Sequence, residues 1–202
     1  MKVFVVHCSK LDDRKKHIIE ELKSLPEYEF VEVEDYDETL YEGLQPTKIS
    51  LLTKHFFIYK LIAEQYDSAL ILEDDVILSD DFATTLDKYM KELPEDYDML
   101  FIGNGCNLHI QKQDIIGGKH IYEKGLYPTS WGGDGCSRCT DSYVVSKKCA
   151  TELCKYIPIE KVNLPVDWWL NKAGRYCKFK VYWAEPTIVT QGSHNGLFPH
   201  TL

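Results

Sequence analysis

Ala69-Leu70-Ile71-Leu72-Glu73-Asp74-Asp75-Val76-Ile77-Leu78 is the stretch on which the reading of this chain turns. Four apolar residues run directly into three acids, and three more apolar residues follow. A wholly apolar run of this length fits a strand covered on both faces, as in a parallel sheet. In open α/β sheets, ligands bind beyond the carboxyl ends of the strands, which is where these acids fall. Three carboxylates wedged between two buried runs repel one another and resist desolvation. A hard divalent cation relieves that cost, and oxygen donors suit Mg²⁺ or Mn²⁺. Alternate side chains of a strand share a face, so Glu73 and Asp75 are expected together and Asp74 apart. Asp75 is the expected direct metal ligand. Glu73 is expected to assist it or to contact a ribose. The plainer reading is a surface turn with incidental acids, and position alone does not remove it.

The rest of the chain repeats the pattern of apolar strand and amphipathic helix. Val3 to Val6 is another wholly apolar run, a first strand. Ile18, Leu22 and Leu25 then mark one face of a helix that Pro26 ends. Tyr28 to Val33 alternates as a second strand, followed by an acidic loop at 34–38. From Thr47 a longer helix is expected, its stripe drawn by Leu52, Phe56, Tyr59, Ala63 and Tyr66. After the acidic triplet come a helix from about Asp81 to Leu93 and a strand at Met99 to Ile102. Strands alternating with helices predict an α/β fold with a mainly parallel, Rossmann-like sheet flanked by helices. Residues 104–140 hold seven of the twelve glycines and little periodicity, which predicts a loop-rich side. Regularity returns with a strand at Tyr143 to Val145, a helix bearing Ala150, Leu153 and Ile157, a helix starting near Pro165, and a strand over Lys178 to Trp183.

With 202 residues the chain is long enough for one domain and short for two. No apolar run approaches the roughly 20 residues of a membrane span, and the leading apolar segment turns polar at His7, too early for a signal peptide. A cytoplasmic protein, or a soluble domain of a longer chain, is expected. The 23 basic against 32 acidic residues give a net charge of −9. That argues against nucleic acid and anionic membranes as partners. It also means that a diphosphate would be repelled unless a cation reversed the local sign. The seven cysteines are odd in number and scattered, unlike a disulfide framework. Cys136 and Cys139 have metal-like spacing, but no second such pair exists to complete a zinc site with His109 or His120. Reduced thiols, or one local disulfide, are the expectation.

In this setting the chain resembles glycosyltransferase family 25. Val5-Val6-His7-Cys8 with Asp13-Arg14 resembles the family's opening strand and helix start. Lys54-His55-Phe56 resembles its Ser-His helix, with lysine in place of serine. Leu70 to Val76 is similar to its most specific motif. Asp98 to Gly103, Ser142 to Ala150, Pro165 to Leu170, and Pro186 with Gln191 resemble later segments in order. The resemblance implies a single GT-A domain over 1–202, with a nucleotide-binding half at about 1–103 and an acceptor-side half at about 104–202. It implies a UDP-sugar donor such as UDP-glucose or UDP-galactose, a divalent metal (Mn²⁺ or Mg²⁺), a glycan or glycoprotein acceptor, and inversion at the anomeric carbon. His7, Arg14, Asp37, His55, Glu73 and Asp74 would then face the donor. His194, in the closing Gly-Ser-His-Asn-Gly loop, would be a third metal ligand.

An inverting transfer needs a base for the acceptor hydroxyl. Asp167 is the first candidate: it lies at a helix start, where the dipole is expected to keep its carboxyl ionised. Asp141 is the second and Asp134 the third. Of the adjacent Trp168 and Trp169, one is expected in the core and the other against an acceptor sugar. Trp168 and Trp131 are the acceptor-side candidates. Two other enzyme classes fit less well. Aspartate-nucleophile phosphotransferases carry their acids after the first strand, and nucleotidyltransferases need an N-terminal glycine-rich phosphate loop that His7 to Lys10 does not supply. A noncatalytic nucleotide-sugar or glycan-binding domain remains the alternative reading.

Overall fold

A computed structural model describes residues 1–25, 27–33, 40–157 and 161–199. Its seven-stranded sheet is built from β1 (Lys2–Val6), β2 (Glu29–Val31), β3 (Ser68–Glu73), β5 (Met99–Phe101), β6 (Ile121–Lys124), β7 (Ser142–Ser146) and β8 (Val181–Ala184), in the order β2-β1-β3-β7-β5-β8-β6. β2, β1 and β3 are parallel to one another, and β5 is parallel to β8. β7 runs antiparallel between β3 and β5, and β6 closes the edge antiparallel to β8. A separate antiparallel pair joins β4 (Val76–Leu78) to β9 (Val189–Gln191). The pairing of the post-triplet run with β9 is a finding that local pattern did not announce.

Strand alternation divides the core in two. Phe4, Val6, Ala69, Ile71, Met99, Phe101, Tyr143 and Val145 pack on one side with α2 (Pro46–Gln65), α4 (Lys147–Tyr156) and α5 (Val166–Cys177). Val3, Val5, Leu70, Leu72, Leu100 and Val144 pack on the other with α1 (Asp12–Glu21) and α3 (Phe82–Glu92). Burying both faces of the strands explains why their sequences are wholly apolar rather than alternating. Each helix meets the sheet through one stripe. On α3 this is Phe82, Leu86 and Tyr89. α2 departs from its expected single stripe: His55, Ile58 and Ile62 are buried along with Leu52, Phe56 and Tyr59. It is covered by the sheet on one side and by α4 on another, so its buried arc is wider than one stripe. α4 starts at Ser146, whose hydroxyl accepts from the Cys149 amide as an N-cap. Among the described residues no helix is long and apolar enough to cross a membrane.

Candidate active site

The direction of β7 builds the site. Because β7 enters the sheet from the carboxyl end of β3, its first residue, Ser142, pairs with Leu72. The residues just before β7 therefore fall beside the acids just after β3, and the Glu73 amide donates to the Asp141 carbonyl at 2.8 Å. Gly103, past the end of β5, makes room for this junction. A Cβ there would lie 2.1 Å from Asp141 Oδ2 and 2.3 Å from Ser142 Oγ, so a larger residue would displace both. The Gly192 amide ties the closing segment to the Asp75 carbonyl at 2.7 Å. Together these elements enclose a cavity of about 180 Å³ whose lining includes Lys48, Glu73, Thr140, Asp167, Gln191 and His194. That is below the roughly 300–1,000 Å³ of sites that swallow a whole ligand, so it suits one portion of a larger molecule.

The three acids have different surroundings. Asp74 turns toward α1. Its carboxylate meets His7 Nδ1 at 2.7 Å and accepts from Arg14 at 3.1 Å. Glu73 turns the other way and accepts from the Thr140 hydroxyl at 2.9 Å. Burial pushes its carboxyl well above the ordinary range, and the charges of Asp75 and Asp141 push it further. Asp75 is 2% exposed. Its Oδ2 lies 3.7 Å from Arg14, and its Oδ1 is buried with no hydrogen-bond partner. A buried carboxylate oxygen without a partner is costly unless a ligand completes it. Asp141 is fully buried: Oδ2 accepts from Ser142 at 2.8 Å, and Oδ1 has no partner. Burial raises its carboxyl to about 7.

These residues fit a hard cation in one particular way. Among the described residues no three His, Cys, Asp or Glu side chains converge to cage a metal. Mg²⁺-type sites at phosphates need no such cage, since one or two carboxylates suffice when the ligand's own oxygens complete the shell. The unpartnered Oδ1 of Asp75, whose charge acts on Glu73, matches that requirement.

The family model of glycosyltransferase family 25 (LPS biosynthesis protein) matches residues 1–124. The chain belongs to this family. Its fold is the GT-A glycosyltransferase fold. A glycosyltransferase involved in the glycosylation of the major capsid of PBCV-1 superposes with a TM-score of 0.52 at 10% identity, covering 94% of this chain and 92% of that one. The crystal structure of A197 from STIV superposes with a TM-score of 0.50 at 14% identity, covering 93% and 82%. No curated protein matches the chain in sequence.

The remaining candidates of this glycosyltransferase-family chain are dispersed. Asp167 lies in the first turn of α5 and lines the cavity. The expectation that the helix start would keep its carboxyl low is corrected. Burial is the largest influence and raises it, while the backbone amides at the helix start pull only partly back. His194 is exposed on the cavity rim. Trp169 is core, against Phe56, Tyr59 and Tyr156, whereas Trp168 is 51% exposed. Trp168 lines a second cavity of about 450 Å³ with Asp134, Lys172 and Arg175. Trp131 lines neither cavity: its indole donates to Asp114 at 2.7 Å and it packs on Trp183. His55 is a core side chain, hydrogen-bonded through Nδ1 to the Tyr143 hydroxyl at 2.7 Å. Burial, then Lys54, lowers its imidazole to about 3, so it is neutral in the fold. Asp37 lies outside the described residues. Pattern reading missed Thr140, Lys48 and Cys106 and weighed Cys139 only for zinc, and all four lie on the cavity wall. The polar run Thr140-Asp141-Ser142 ahead of an apolar strand was the one available signal, since it mirrors the triplet after β3.

Proposed function

We propose that the chain transfers a hexose from a UDP-sugar, such as UDP-glucose or UDP-galactose, to a hydroxyl of a glycan or glycoprotein, with inversion and with Mn²⁺ or Mg²⁺ as cofactor. The observation that carries this reading is one cavity that gathers Glu73, Asp167, Gln191 and His194, with the unpartnered, buried Oδ1 of Asp75 on the residue whose charge acts on Glu73. In the proposed arrangement Asp75 and Glu73 hold the cation, with His194 as a further ligand. The cation, when bound, would neutralise charge on the departing diphosphate. Asp74 holds His7 and Arg14 in place at the adjoining nucleoside side. Asp167 takes the acceptor hydroxyl proton while that oxygen bonds to the anomeric carbon and the bond to the diphosphate breaks. Its raised pKa makes it a stronger base than an ordinary aspartate. Trp168, exposed on the neighbouring cavity, offers an apolar face to an acceptor sugar.

A panel of nucleotide sugars with Mn²⁺, read for nucleoside diphosphate release, tests the proposal. UDP-hexoses are expected to turn over, and Asp75→Ala is expected to lose the Mn²⁺-dependent rise in melting temperature that the donor gives. Binding without release, for every sugar and glycan tried, would leave a noncatalytic binding domain. Undiminished metal-dependent binding by Asp75→Ala would remove the metal assignment.

A further inference from the structure

Two cysteines far apart in sequence meet on the cavity wall. Cys106 and Cys139 are 33 positions apart, and their sulfurs are 3.1 Å from one another. An S–S bond is about 2.05 Å, so closure needs a shift of roughly 1 Å. Neither cysteine is in a disulfide. Cys136, the partner that spacing suggests for Cys139, is buried in the core beneath Trp183 instead.

Three independent features hold the pair together. Gly105 is the first: a Cβ at this position would lie 2.5 Å from Cys139 Cβ and 2.5 Å from the Arg138 carbonyl. Only glycine allows the two segments to come this close. Arg138 is the second. Its buried guanidinium donates to the Leu108 carbonyl at 2.7 Å, to the Ala184 carbonyl at 2.8 Å and to Glu185 at 2.9 Å, and it stacks over Trp183. It thereby anchors the neighbour of Cys139 to the residue two beyond Cys106. The third is the backbone, with φ of 53° at Cys106 and 59° at Cys139. Left-handed conformations at non-glycine residues persist where their surroundings over-determine them, and such positions cluster at functional sites.

We propose that Cys106 and Cys139 are a redox-active dithiol that closes reversibly to a disulfide across the cavity wall. This inference does not depend on the sugar-transfer reading. The two sulfurs differ in the way that exchange requires. Cys106 is exposed, and the hydrogen bond from Cys139 lowers its thiol to about 7. The same bond, then burial, raises Cys139. Cys106 as thiolate attacks a low-molecular-weight disulfide such as oxidised glutathione and expels one glutathione thiolate. Cys139 then gives up its proton and attacks Cys106 Sγ, expelling the second. One oxidised glutathione is consumed, and two glutathiones leave with the two thiol protons. Exposed disulfides are the labile class, so thiol reductant should reverse the step.

The test uses the reduced full chain incubated with oxidised glutathione, then alkylated, digested without reductant and read by mass spectrometry. A linked peptide joining Cys106 to Cys139 is expected. So is a rise in melting temperature of roughly 5–15 °C, from closing a loop of this length in a chain of this size. Dithiothreitol should abolish both, and neither should occur in Cys106→Ser or Cys139→Ser. The proposal is overturned if both thiols remain alkylatable, if Cys106 links to another cysteine, or if it stops at a stable glutathione adduct. The wild-type peptide map decides the matter even if a serine variant folds poorly.

Discussion

Asp141→Asn should stabilise the protein at pH 8 and have no effect at pH 4. Asp141 is fully buried, and its carboxyl is raised from 3.8 to about 7. Burial is the main cause; the Ser142 hydroxyl and the backbone pull the other way, and Asp75 pushes it further up. The folded chain therefore holds this proton more tightly than the unfolded chain does. Below about pH 4 the carboxyl is neutral in both states and the fold bears no charge penalty. As pH rises toward 7 the unfolded state ionises freely while the folded state resists, and stability is lost. A span of roughly three pH units at about 1.36 kcal/mol each sets an upper value of about 4 kcal/mol. For a chain of this length that corresponds to roughly 8–16 °C in melting temperature. Asparagine removes the charge and still offers an oxygen to the Ser142 hydroxyl. It also puts an amide donor where Oδ1 has no partner, near Asp75. Urea unfolding of both proteins in metal-free buffer from pH 4 to 8 measures the difference. A difference that stays flat with pH, or a variant less stable at pH 8, would refute this account of the junction.

Other expectations rest on separate contacts. Asp74→Ala removes the closest partner of both Arg14 and His7 and leaves Arg14 with the longer contact to Asp75 at 3.7 Å and the Pro199 carbonyl, so urea unfolding should show a loss of about 1.5–3 kcal/mol. Asp167→Asn should reduce transfer by about 10²–10⁴-fold while donor binding, followed by calorimetry, is unchanged. Because burial raises the Asp167 carboxyl, wild-type turnover should fall on the acid side at a higher pH than an ordinary aspartate would give, a limb that the asparagine variant lacks. Trp169→Ala should cost about 3–5 kcal/mol through the lost core contacts with Phe56 and Tyr59, whereas Trp168→Ala should leave stability within about 0.5 kcal/mol and raise the acceptor KM.

What the sequence disclosed depended on the range of the interaction. β3 and its acids were legible because a strand buried on both faces reads as a continuous apolar run, and the acids end that run abruptly. The start of α5 was legible from Pro165, but strand alternation did not carry past Glu73, where β3 ends: Asp74 and Asp75, expected on opposite faces, both reach Arg14. The insertion of β7 between β3 and β5 was not legible, because antiparallel pairing between segments this far apart in the chain, such as Leu72 with Ser142 and Phe101 with Tyr143, has no local signature. That insertion decides which residues join the triplet, so Thr140 was missed and Asp141 was placed without its burial. The direction of the Asp167 shift was not legible for a related reason: a helix start is visible in sequence, but the packing that dehydrates the carboxyl is not. The donor-facing role that the resemblance implied for His55 does not fit its burial, because α2 is covered on two sides.

The junction also answers the difficulty raised by a net charge of −9. Four carboxylates meet at the ends of β3 and β7: Arg14 contacts Asp74 at 3.1 Å and, more loosely, Asp75 at 3.7 Å, whereas among the described residues no basic side chain pairs with Glu73 or Asp141. Glu73 and Asp141 meet the shortage of positive charge by holding protons more tightly, while Asp75 Oδ1 stays buried without a partner. A cation entering beside Asp75 would change all three at once, since its charge opposes the repulsion that raises Glu73 and Asp141. Any ligand role for Glu73 requires loss of its proton, so cation affinity and pH are coupled through the same side chains. The site is thus incomplete in a specific sense. Arg14 serves Asp74 and Asp75 from one side, and on the proposed reading an anionic ligand arriving with its own cation would offset the crowding that Glu73 and Asp141 meet by holding protons.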